Sequence, residues 1–174
     1  MSEVIEKPLF KSVSHALSWA YKMEHVSAHP SQDLRGNRAR FNAWTDLSAL
    51  DTHAQAAFIR DIVETRLKPP EVAVIRARHG TGFTQVIGVH SLSEHVRGLV
   101  KNNGECLDII VGSLYCVKNE CSKRRISNIY NVSVRSVEDD WKYIKGCIHS
   151  LEQMAYATLD AEFTKQKGLI ETAP

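Results

Sequence analysis

The chain is poor in the signatures from which chemistry is usually read. None of its apolar runs is long enough to cross a bilayer, which excludes a helical membrane span. The N-terminus, M-S-E-V-I-E-K-P, lacks the basic-then-apolar layout of a secretory signal, so the protein is expected to be cytoplasmic. The only cysteines, Cys106, Cys116, Cys121 and Cys147, lack the paired short spacing of a structural zinc site. In that compartment they are expected as reduced thiols, with Cys106 and Cys147 serving as small core residues. The histidines are dispersed without an H-E-x-x-H, and His79 and His90 read as surface or satisfied histidines. The run H-G-T-G-F-T at 79–84 is no phosphate loop, because G-x-x-x-x-G-K-[ST] is missing. No acid pair and no Ser/His/Asp layout is recognisable. The expectation is therefore no catalytic residue, no metal, no cofactor and no enzyme activity. Excess charge is lacking too. Lys and Arg number 22 against 20 Asp and Glu, a net +2, so a nucleic-acid surface has to come from local clustering.

What is present is ordinary globular composition, 43% hydrophobic and 24% charged, which argues against bulk disorder. Leu9, Phe10, Val13, Ala16, Leu17, Ala20, Tyr21 and Met23 share one helical face and predict a helix over 9–26, stopped by Pro30. Residues 1–8 read as frayed. A second helix is predicted from Ser48 or Asp51 to Leu67, capped by Asp51 or Thr52, with Leu50, Ala54, Ala57, Phe58 and Val63 on its inner side. Residues 71–90 admit two readings. They are a helix opened by Pro69-Pro70, or a hairpin turning at H-G-T-G; helix is favoured because a lone hairpin is barely stable. S-L-S-E at 91–94 has the form of a capping box that opens a helix through Val100, ended by K-N-N-G. A further helix is expected over 105–117. The fold class is all-α, a helical bundle with a C-terminal helix-turn-helix and a long terminal helix. Residues 1–66 form an N-terminal helical part, 67–167 the part holding the helix-turn-helix, and 168–174 a flexible tail. One compact domain embracing both parts is the alternative.

The densest information lies in S-K-R-R-I-S-N-I-Y-N-V-S-V-R-S-V-E-D-D-W-K-Y-I-K, residues 122–145. It predicts two helices joined by a very short turn. Ile126, Ile129 and Tyr130 face inward from the first helix, and Ser127 is small where the second helix crosses. Asn131 occupies the corner because it tolerates the left-handed conformation. Val132 plugs the gap, and Ser133 caps the second helix. Val137, Trp141 and Ile144 then return to the core.

The run I-S-N-I-Y-N-V-S-V-R-S-V-E-D-D-W resembles the promoter-binding, C-terminal helix-turn-helix of bacterial sigma factors. The second helix of that unit often follows V-S-x-x-T-V-x-x-D-W/I, and here Val132-Ser133, Ser136-Val137 and Asp140-Trp141 stand in those places. Phage late-gene antitermination and activator proteins carry a similar unit, and residues 67–80 are similar to the helix that opens such domains. The resemblance implies double-stranded DNA as partner, contact with the transcription machinery, and regulation of phage or prophage type. Lys123, Arg124 and Arg125 would meet phosphates, and Ser133, Arg135, Ser136 and Lys142 would lie at the groove. One departure stands out: Glu138, Asp139 and Asp140 put acids on the second helix, with Asp139 on the outward face beside Arg135 and Lys142. Pairs at four-residue spacing, Glu138 with Lys142 and Arg135 with Asp139, would accommodate them.

From Val134 an apolar stripe runs on through Ile148, Leu151, Ala155 and Phe163. It is either a homodimer seam or, as favoured, a face packed on the 9–23 helix of the same chain. At 33–44, Arg35, Arg38 and Arg40 precede Phe41 and Trp44, as in a strand-tracking arm or, more simply, a basic loop anchored by its aromatics. Two rivals to a DNA-binding regulator remain: a helical protein–protein adaptor or inhibitor using the acidic face, and a DNA-packaging adaptor.

Overall fold

A computed structural model describes residues 9–28, 49–100, 106–115, 122–166 and 169–170. Among them are seven helices: α1 Val13–Ala28, α2 Ala49–Arg66, α3 Pro69–His79, α4 Phe83–Arg97, α5 Leu107–Tyr115, α6 Lys123–Tyr130 and α7 Val134–Lys165. The described part is all-helical, its only extended pairing an isolated parallel bridge between Phe10 and Ile170. No helix among the described residues is long and apolar enough to cross a membrane. The basic loop at 33–44 lies outside the described residues, as do Cys116 and Cys121.

The chain divides into two compact units. One comprises Met1–Leu67 with Tyr156–Pro174, the other Lys68–Ala155. In the first, α1 starts later than its stripe suggests. Ser12 caps it, accepting from the His15 N–H at 3.3 Å, and Phe10 is left outside to pair with the segment after α7. Leu169 and Ile170, within the stretch read as a loose tail, are instead buried, and Phe10 N–H donates to the Leu169 carbonyl at 2.9 Å. The inner side of α2 also differs from expectation. Thr52, Ala56, Ile59, Ile62 and Val63 are buried, whereas Ala54, Ala57 and Phe58 are exposed. The run A-Q-A-A-F-I puts apolar residues on adjoining faces, and the side bearing the bulky Ile59–Ile62–Val63 triplet buries more area.

The second unit resolves the ambiguous segment. Pro69 and Pro70 occupy the first two positions of α3, where a missing N–H costs nothing, and Glu71 reaches back to accept from Lys68 N–H at 3.0 Å. No strand returns: Phe83 opens α4 directly after Gly82, which sits at φ 54°, ψ −122°. That conformation is open to glycine and strained for other residues. The expected capping box at 91–94 is in the middle of α4, which ends at Arg97 rather than Val100. Ser93 there donates to the Val89 carbonyl at 3.0 Å, the way a serine is satisfied inside a helix rather than at its start. The core gathers Ala73, Val74 and Ala77 of α3, Leu92 and Val96 of α4, Ile110 and Val111 of α5, Ile126 of α6, and Val137, Ile144 and Ile148 of α7, with Cys106 buried among them. The first part of the long apolar stripe is thus covered within its own unit by α3, α4, α5 and α6, and these buried residues are not free to form a dimer seam.

His79 closes α3 as a buried histidine. Burial first, and the neighbouring Arg78 second, lower its pKa to about 4. A folded pKa below the unfolded value means that the unfolded chain takes the proton first as pH falls. Stability from this group is therefore complete above pH ~6.5 and drains away towards pH ~4, by about 3 kcal/mol. Urea unfolding at pH 7.0 and 4.5 should show that loss in the natural chain and a smaller one in His79→Gln. Equal losses would remove His79 from the acid sensitivity.

Candidate functional site

The exposed face built by α6, residues 131–133 and the first turns of α7 carries the candidate DNA-binding residues. Its geometry is set locally. Ser122 caps α6, its hydroxyl oxygen accepting from Arg125 N–H at 3.3 Å. The helix ends at Asn131, which is left-handed at φ 52°, ψ 40°. The N–H groups of Asn131 and Val132 both point at the Ser127 carbonyl, the latter at 3.1 Å, closing the helix as αL-terminated helices do. The Ser127 hydroxyl then donates to the Val132 carbonyl at 2.6 Å. Ser127 therefore ties the corner together as well as being small. Val132 packs half-buried against the core, and Ser133 caps α7 by accepting from Ser136 N–H at 3.0 Å. Val137 and Ile144 anchor the inner face of α7.

This frame places the predicted residues as follows. Arg124, Arg125, Ser133, Arg135 and Lys142 are exposed; Ser136 and Lys123 are half-buried. Ser133 spends its oxygen on the cap and keeps its own proton for a partner. Lys123 is engaged: its Nζ lies 2.8 Å from Glu138 Oε1 and 5.0 Å from the centre of the Trp141 ring. Lys145 approaches the same ring at 5.9 Å. The expected Glu138–Lys142 pair along one helix is thus replaced by a pair across two helices. The hydrogen bond from Lys123, then its charge, then that of Lys142, hold the Glu138 carboxyl below its usual range. Ile129, expected inside, is 55% exposed. On α6 it lies to one side of Ile126, whereas Ser127 and Tyr130 lie to the other, and it is that other side which the core covers.

A second polar cluster had no counterpart in the sequence reading. In the unit Lys68–Ala155, buried Glu152 accepts from Arg78 Nε at 2.6 Å and from the Tyr115 hydroxyl at 3.4 Å, while the Arg78 guanidinium lies 5.7 Å from the Tyr115 ring. Its position was legible in one respect: Glu152 lies four residues after Ile148, on the buried stripe of α7 where an acid needs a partner. The arrangement joins α3, α5 and α7 and is structural in character. Among the described residues no group of three His, Cys, Asp or Glu side chains is placed to hold a metal ion. No protein-family model matches the chain, and no curated protein matches it.

Proposed function

We propose that the chain binds double-stranded DNA through α6 and α7 as a helix-turn-helix, in the service of transcription control of the phage or prophage type. The observation that carries this reading is the outward face of α7. Arg135, Asp139 and Lys142 are exposed on it, opposite buried Val137 and Ile144, and Arg124 and Arg125 are exposed on the preceding helix. In this reading Arg124 and Arg125 steer the protein onto phosphates, and the beginning of α7 enters the major groove. Arg135 suits a guanine edge and Asp139 a cytosine amine. The left-handed Asn131 corner and the Ser133 cap support the assignment, as does the resemblance of the same residues to sigma-factor units.

A protein-docking reading is favoured by one observation. Ile129, Val134 and Tyr143 are apolar and exposed on the same two helices. The acidic face on which an adaptor would rely is weakened, because Glu138 is spent on Lys123.

Anisotropy of a labelled mixed-sequence duplex separates the two. Binding should weaken steeply as salt rises, with log K against log [salt] falling by about 0.9 for each phosphate neutralised. Absence of duplex binding at low salt, or binding indifferent to salt, would overturn the proposal.

A further inference from the structure

We propose that Glu138 occupies Lys123 in place of a DNA phosphate, so that the free protein withholds one backbone contact and binds non-specific DNA less tightly than its charge allows. This rests on the DNA-binding reading above and deepens it. Lys123 opens α6, beside Arg124 and Arg125, where a phosphate contact is wanted. Its ammonium instead meets a carboxylate oxygen of α7 at 2.8 Å. A carboxylate and a phosphate oxygen make the same demand on an ammonium group, a short charge-assisted hydrogen bond. Glu138 therefore competes with the duplex for the same donor.

The surroundings strengthen the competition. Lys123 and Lys145 both stand over the Trp141 ring, and Lys142 adds its attraction to Glu138. Glu138 thus acts on Lys123 and Lys142, while the Trp141 indole faces Lys123 and Lys145. Removing the carboxylate would leave Lys123 held only by the ring face and open to a phosphate. Phosphate contacts carry no sequence information, so withholding one lowers affinity for every duplex alike. Contacts made by Arg135 to base edges would then form a larger share of the total. Glu138 in this sense tempers affinity, lowering binding to specific and non-specific duplexes by the same factor and leaving the ratio between them unchanged.

The test uses the full chain and a mixed-sequence 20-base-pair duplex of the kind described by the binding theory. Glu138→Gln should bind about tenfold more tightly at 50 mM salt, with a slope steeper by about 0.9, the value for one added phosphate. Lys123→Gln in the natural background should leave the slope unchanged, because that lysine is already engaged. In the double variant the gain from Glu138→Gln should vanish. A purely structural role for the pair would change thermal stability without moving the salt slope. If the natural chain binds and Glu138→Gln matches it in affinity and slope, the restraint is refuted while DNA binding stands. Loss of slope on Lys123→Gln alone would likewise refute it. If neither protein binds duplex, the underlying function is wrong and this inference goes with it.

Discussion

Alanine at Gly88 is expected to destabilise the unit Lys68–Ala155 by about 3 kcal/mol, although helix propensity alone would make the same change stabilising by about 1 kcal/mol. The reason is the approach of α4 to α3. A Cβ on Gly88 would overlap the Ala77 backbone nitrogen and lie 2.8 Å from the Arg76 carbonyl carbon and 2.9 Å from the Ala73 oxygen. All three are backbone atoms of a helix, so no rotamer change relieves the clash, and the two helices have to move apart. Movement would open the core at Ala73, Ala77 and Leu92. Gly146 is the internal control: it lies in α7, where a Cβ would meet nothing within 4 Å. Gly146→Ala should therefore gain about 1 kcal/mol on propensity. Urea unfolding of both variants checks the pair. A stabilised Gly88→Ala would mean that α3 and α4 do not pack as described.

The second large effect concerns binding. Arg124→Glu with Arg125→Glu is expected to lower duplex affinity roughly a hundredfold at 100 mM salt and to flatten the salt slope by about 1.8, two contacts at 0.9 each. Both side chains are exposed on α6, so their replacement removes no core contact. The loss should be uniform across sequences, as expected for backbone contacts. Arg135→Ala should behave differently, relaxing base preference by about 1–3 kcal/mol at one position. Lys123 is a poorer measure of phosphate contact than this pair, because its ammonium is bonded to Glu138.

The region from 122 to 145 was the most legible part of the sequence because its determinants are local. Asn131 and Ser133 act on backbone groups within a few residues, and each carries out the corner or capping role that its chemistry suggested, while Ser122 adds a cap of the same local kind. Helix ends and corners are fixed by such short-range bonds. Features set by long-range packing were not legible. Nothing near Gly88 in sequence announces that α3 passes against it, and Ser91–Glu94 matched a start signal without being at a start. The Glu138–Lys123 pair joins residues on different helices, so a search at four-residue spacing found the wrong partner. The exposed side of α2 was misjudged for a related reason: periodicity finds a stripe, but bulk decides which of two stripes is buried.

The central claim is that α7 offers its outward face to a double helix. Amide NMR of the labelled full chain during titration with a mixed-sequence duplex tests it most directly. The account predicts shifts concentrated in Arg124, Arg125 and residues 133–142, with α1 and α2 undisturbed. Shifts confined to other helices, or none at a duplex concentration that saturates binding, would contradict it.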